Sequence, residues 1–152
     1  MYLPASVAVL RTLAAGEPWR ASAAFAVTPQ ARAEVADPDD EQLEFDAFLD
    51  AVRGCLDLLR PGDPPRRVVV SADVPTSTVS VRGAPTVTAV SLAAPVQPAD
   101  VAAFHVDDAE SARVVQAVRA GADPGLLDDV VLAWFDPTEL EALLAQVDPQ
   151  GR

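Results

Sequence analysis

The residues equipped for nucleophilic, redox or imidazole chemistry are few: one cysteine, Cys55, and one histidine, His105. A structural zinc site takes four cysteine or histidine ligands, so one of each cannot build one within a chain. Cys55 falls in the apolar stripe of a long helical segment. Reactive cysteines need an exposed, electropositive setting, so Cys55 is expected to be a core thiol. His105 lies in a strand-like segment whose alternation puts Phe104 and Val106 on one face and Ala103, His105 and Asp107 on the other. Asp107 could orient or charge the imidazole. His105, Asp107 and Asp108 are therefore the catalytic candidates. The preferred reading is plainer: a histidine tucked under a helix with one hydrogen bond. No serine stands in a recognisable nucleophile context, so a Ser–His–Asp triad lacks its first member.

Carboxylates at strand ends form a second constellation. Asp73, Asp107, Asp108 and Asp136 each stand where a strand candidate stops. Parallel neighbouring strands would bring all four to one sheet edge, the usual ligand position in open α/β sheets. There Asp107, Asp108 and Asp136 could hold Mg²⁺, a hard cation that takes oxygen ligands. Simpler roles are preferred for each. Asp107 or Asp108 and Asp136 can cap helices, and Asp73 can make a turn before Val74–Pro75. Glu110 and Glu139 stand three residues after Asp107 and Asp136, the spacing of a capping box. Arg66 and Arg67 precede the next strand candidate and could grip an anion, but pairing with an acidic helix face is the favoured reading. The patterns GxGxxG, GxxxxGK[ST] and GxSxG are absent, so no cofactor is expected.

The acidic face in question runs from Asp37 to Asp50, with seven acids and no base. It lacks the glycine and ligand spacing of an EF-hand. Acids at a helix N-terminus are stabilised by the macrodipole, and a solvated face is the simple reading. The functional one is a docking surface for a basic partner.

The elements that must position these residues alternate between the two periods of strand and helix. Met1–Leu3 is a strand candidate and Ser6–Ala15 a helix stopped by Gly16. Ser22–Val27 is a strand. Thr28 caps a short helix with proline at its first position, reaching about Val35. After the turn at 37–40, a helix to about Leu59 carries Phe45, Phe48, Leu49, Val52, Cys55, Leu56 and Leu59 on one expected core stripe. Arg67–Val74 is a buried strand, 76–85 a flexible loop or frayed edge hairpin, and Thr86–Ala93 a further strand. Val101–Val106 is a strand, and Ala109–Ala120 a helix with Val114, Val115 and Val118 inward. Asp129–Phe135 is the last strand. Thr138–Val147 is the last helix, buried through Leu140, Leu143, Leu144 and Val147.

At 152 residues, with half of them hydrophobic, the chain suits one domain around one core. Its formal net charge of −12 repels phosphate backbones and anionic lipid, so neither nucleic acid nor membrane is an expected partner. Lysine, isoleucine and asparagine are absent, and all 11 basic residues are arginine. Those three have A/T-rich codons, which points to a GC-rich genome. No segment approaches the ~20 apolar residues of a membrane span. A lone cysteine precludes an internal disulfide and fits a reducing, cytoplasmic setting.

Six segments occur in a fixed order: YLPAS at 2–6, FAVTP at 25–29, QLEF at 42–45, RRVVVSADVP at 66–75, AAFHVDDAE at 102–110 and LAWFDPTEL at 132–140. In these the chain resembles a family of small uncharacterised actinobacterial proteins, a domain of unknown function. It departs from that family in a shorter, less acidic stretch before the C-terminal strand. The resemblance implies no activity, substrate or cofactor.

The expectation is thus a single α/β (or α+β) domain, 1–152, with a mixed sheet of five to six strands and four to five helices packed on it. Its expected role is a non-enzymatic regulatory or protein-interaction domain that meets a protein partner through the acidic face 37–50. The alternative is a small-molecule or Mg²⁺-dependent enzyme using the strand-end carboxylates with His105.

Overall fold

Short apolar runs rich in valine, alanine and aromatic residues become strands, and the 3.6-period segments between them become helices. A computed structural model describes every residue except Pro38, Gln150 and Arg152. Among the described residues there are seven strands: β1 (Tyr2–Ala5), β2 (Ala24–Phe25), β3 (Val68–Ala72), β4 (Val79–Val81), β5 (Ala89–Leu92), β6 (Val101–Val106) and β7 (Ala133–Phe135). The α-helices are α1 (Val7–Ala14), α2 (Pro29–Glu34), α3 (Asp40–Leu58), α4 (Ala109–Arg119) and α5 (Leu140–Val147). Pro38, part of the turn expected at 37–40, lies outside the described residues. The strands form one sheet in the order β4-β5-β2-β1-β3-β6-β7.

The single α/β domain holds as expected, with two refinements. The sheet has seven strands, and each of its pairings is antiparallel. The extra strand comes from the segment 76–85. Its first half is a 3-10 turn at Thr76–Thr78 followed by β4, which hairpins onto β5. Antiparallel neighbours need no right-handed crossover between them, as in the β4–β5 hairpin. Pro4 is tolerated near the sheet centre because β2 meets β1 only at Tyr2↔Phe25. At Pro4 the missing N–H therefore costs no ladder bond to a second neighbour.

Alternation divides the core into two layers. On one face Leu3, Ala5, Val68, Val70, Phe104 and Val106 pack with Val7, Leu10 and Leu13 of α1 and Leu143 and Val147 of α5. On the other, Phe25, Val69 and Ala89 pack with Ala47, Ala51, Val52 and Cys55 of α3. Gly16 ends α1 at φ +74°, a left-handed conformation that glycine adopts without Cβ strain.

The face of α3 that meets the sheet differs from the expected stripe. Its buried residues are Leu43, Ala47, Ala51, Val52 and Cys55. Phe45 is 54% exposed, and Phe48, Leu49, Leu56 and Leu59 are half-buried. Small side chains let the helix axis approach β1 closely. A Cβ placed on Gly54 would stand 3.3 Å from Pro4 Cγ. In α4 the buried residues are Ser111, Ala112 and Val115, with Val114 and Val118 half-buried.

Candidate functional site

Antiparallel order separates the strand-end carboxylates. Val68 pairs with Val106, which brings Asp107 beside Arg67 at the start of β3. Asp73 leaves the other end of β3, where its N–H donates to the Asp100 carbonyl at 2.8 Å. Phe135 pairs with Phe104 and Ala133 with Val106, so Asp136 continues toward the Asp73 end. The convergence expected for parallel neighbours therefore does not occur: Asp107 and Asp108 stand at one end of the strands, Asp73 and Asp136 at the other. Among the described residues, no group of three or more His, Cys, Asp or Glu side chains is placed to hold a metal ion.

Each carboxylate has its own local task. Asp108, rather than Asp107, caps α4 by accepting from the Ser111 N–H at 2.7 Å. Hydrogen bonding from Ser111 holds its carboxyl below the usual range. Asp136 accepts from the Thr138 N–H at 2.9 Å and its hydroxyl at 2.7 Å, while Glu139 accepts from the Asp136 N–H at 2.8 Å. This is the expected capping box, set at a 3-10 turn, Pro137–Glu139, that leads into α5. The Thr138 hydroxyl and then its N–H hold the Asp136 carboxyl below the usual range. Asp73 lines a cavity of about 350 Å³ with Met1, Glu44 and Thr76.

Asp107 is instead half of a buried ion pair. It is 1% exposed and Arg67 2%. Its carboxylate accepts from Arg67 Nη2 at 2.8 Å, Nε at 3.0 Å and the Arg67 backbone N–H at 2.7 Å. Arg66 Nη1 donates to the Asp107 carbonyl. The arginines thus do not pair with the acidic face 37–50. A buried carboxylate must be compensated, and register across the ladder makes Arg67 its nearest cation. Arg67 Nη2 also donates to the Val130 carbonyl at 3.3 Å, which ties the segment 124–132 to the sheet.

His105 has no described bond to Asp107. Its Nε2 lies 3.0 Å from Ser71 Oγ on the neighbouring strand. Phe48 of α3 packs edge-on against the ring, centroids 4.9 Å apart, and Tyr2 against Phe48 at 5.5 Å. Burial lowers the imidazole pKa. Cys55 is fully buried, its S–H directed at the Val68 carbonyl at 3.0 Å and the Ala51 carbonyl at 3.3 Å. Burial pushes its pKa up to about 12, the opposite of an activated thiol.

Part of the acidic run is engaged internally. Asp39 caps α3 through the Glu41 N–H, Asp40 takes Arg32 at 2.6 and 3.2 Å, and Asp50 accepts from the Thr88 hydroxyl at 2.6 Å. Glu41 is exposed and forms no ion pair among the described residues.

A concavity lies beside this run. Phe45, Phe48, Leu49, Val52 and Leu56 form one wall of a groove of about 530 Å³, and Pro124, Gly125, Leu127, Asp128 and Val130–Leu132 form the other. Leu127 and Leu132 are buried and anchor the second wall. Leu126 is 55% exposed and Val131 83%. Nearby on the same sheet face stands Trp134, paired across the ladder with His105 and 59% exposed. The sequence reading found the lining residues of α3 but assigned them to the core. The overlooked signal was Leu43, Ala47, Ala51 and Cys55 at four-residue spacing, a second apolar face made mostly of small residues.

A fold of helices on both faces of an antiparallel sheet, with an apolar groove at one helix, defines a class of small α/β domain without assigning it an activity. The chain belongs to DUF6912, a family of unknown function, which matches it over residues 1–144. No curated protein and no solved structure matches it. Among the described residues, no helix is long and apolar enough to cross a membrane.

Proposed function

We propose that the protein is a non-enzymatic interaction domain that binds a protein partner through the groove beside α3. One observation carries this reading: Phe45 of α3 stands exposed, and Phe48, Leu49 and Leu56 stay only half-buried along the groove. Burying a Phe, Leu or Val side chain is worth about 1.5–3 kcal/mol. Phe45 and Val131 line the groove and each leave more than half of their surface in water. A partner that covered them would recover that free energy, and exposed apolar clusters with polar rims mark such contacts. The acidic face 37–50 borders the same wall. The alternative, a Mg²⁺-dependent enzyme, needs the strand-end carboxylates at one edge, and the antiparallel order separates them. A GC-rich actinobacterial source fits the missing lysine, isoleucine and asparagine, and a cytoplasmic setting fits the single free thiol.

The test is site-specific photo-crosslinking in cells of the source organism. Photoreactive residues at positions 45 and 131 should trap one and the same protein. A residue at Gln146, exposed on α5 across the sheet, should not. Equal adducts from all three positions, or none from 45 and 131, would overturn the proposal.

A further inference from the structure

Resting on that interaction reading, we infer that the groove's occupant is a basic amphipathic helix of a partner protein. The first argument is shape. The α3 wall is built at positions 45, 48, 49, 52 and 56, a stripe over three turns and about 16 Å of helix. Its ridges are those onto which another helix packs. The opposing wall is a 3-10 turn and an irregular segment, not a strand edge. Recognition here rests on side chains, as when an amphipathic helix lies in an apolar groove.

The second argument is charge. Glu41 stands one turn before Phe45, Asp128 lines the opposite wall, and Asp129 follows it in the chain. All three are exposed and in no ion pair among the described residues. The cations at the groove are already engaged: Arg53 with Asp50 at 3.4 Å and Arg67 with Asp107 at 2.8 Å. The rim therefore offers uncompensated carboxylates on both sides of an apolar floor. A second copy of this chain would bring another −12 against it, and like charges across an interface are disfavoured. Lysine or arginine flanking an apolar stripe meets both features at once.

The third argument is preorganisation. Arg67 holds Val130 to the sheet end, and Leu127 and Leu132 are buried. The far wall is thus fixed before anything binds, which lowers the ordering cost of association.

Three synthetic peptides test this by calorimetric titration of the full chain. One carries leucine on a helical stripe with lysine elsewhere. One has the same stripe with glutamate elsewhere. One has the first peptide's composition with the helical period scrambled. The lysine amphipathic peptide should bind, and binding should weaken with salt. Phe45→Asp and Val131→Asp alter exposed positions and should retain the fold. Each should weaken binding by about thirtyfold or more, the size of an interface hot spot. Glu41→Gln with Asp128→Asn and Asp129→Asn should weaken it at low salt and flatten the salt dependence.

Equal binding of the scrambled peptide would overturn the inference, because surface charge alone would then suffice. Equal binding of the glutamate peptide would overturn the assigned charge while leaving the groove as an interaction site. A dimer of the chain that Phe45→Asp dissociates would also overturn it, in favour of a second copy. Failure of all three peptides while positions 45 and 131 still crosslink one protein would end this inference alone. Failure of both experiments would end the interaction reading as well.

Discussion

Removing the Asp107 carboxylate should strip the fold of a large part of its stability. Asp107 and Arg67 are 1% and 2% exposed. Asp107→Ala deletes the acceptor of three hydrogen bonds, from Arg67 N, Nε and Nη2 at 2.7, 3.0 and 2.8 Å. It leaves the guanidinium buried with the Val130 carbonyl at 3.3 Å as its remaining acceptor. Breaking a buried pair by removing one partner costs about 3–5 kcal/mol, because an uncompensated charge stays behind. Domains of this kind hold about 5–15 kcal/mol in total, so the variant should lose between a fifth and nearly all of its stability. Replacing both partners, Arg67→Met with Asp107→Leu, removes the stranded charge and should recover most of the loss. Urea denaturation with linear extrapolation reads both variants, provided that the slope is unchanged. A loss below about 1 kcal/mol for Asp107→Ala is the range of exposed ion pairs. That result would refute the claim that this pair is dry and that it ties the groove wall to the sheet.

Three further outcomes are expected. Cys55 should react slowly with a thiol reagent in the native protein and rapidly in denaturant, since its pKa is pushed up to about 12 and its sulfur is buried; fast native labelling would contradict the packing of α3 on β3. Burial lowers the His105 pKa from its ordinary 6.5, so the unfolded chain takes up a proton that the folded one resists. The stability tied to this group is complete above about pH 6.5 and is lost as pH falls through that value toward the lower folded one. The urea midpoint of the wild-type chain should therefore fall more between about pH 7.5 and 5 than that of His105→Gln; parallel pH profiles would disprove it. Asp136→Ala should lower the midpoint while Asp136→Asn leaves it nearly unchanged, because asparagine caps nearly as well as aspartate. A gain in stability for both would mean that Asp136 suffers repulsion from other carboxylates, not that it caps the helix.

Much of the local structure was legible because its causes lie within a few residues. The strand Val101–Val106 follows from its apolar run and the Asp107–Asp108 stop, and its observed bounds are those expected. Thr28 with Pro29 caps α2 and Asp136 with Glu139 forms a capping box, both through side chains that reach only to the next turn. The candidate site was less legible. Asp107 and Asp108 are equivalent as capping residues in sequence. The choice between them falls to Arg67, 40 positions away along the chain. The stripe of α3 was visible, but its destination was not. Phe45, Phe48 and Leu49 present more apolar surface than Ala47 and Ala51, so side-chain size alone sends the wrong face to the sheet.

The sequence by itself determined the alternation of strand and helix, the caps, the acidic charge and the thin catalytic inventory, because periodicity, capping and composition are local or additive properties. Tertiary structure decided which strands are neighbours and in which direction they run. That order put Asp73 and Asp136 at the opposite end from Asp107, and buried Arg67 against Asp107 instead of against the acidic face. It also decided that α3 meets β1 through small residues and Gly54, where a Cβ would already stand 3.3 Å from Pro4. Strand order and helix approach are set by pairings between residues far apart in the chain, and their free energy depends on register and on the space left between backbones. Neither quantity is a property of any one segment.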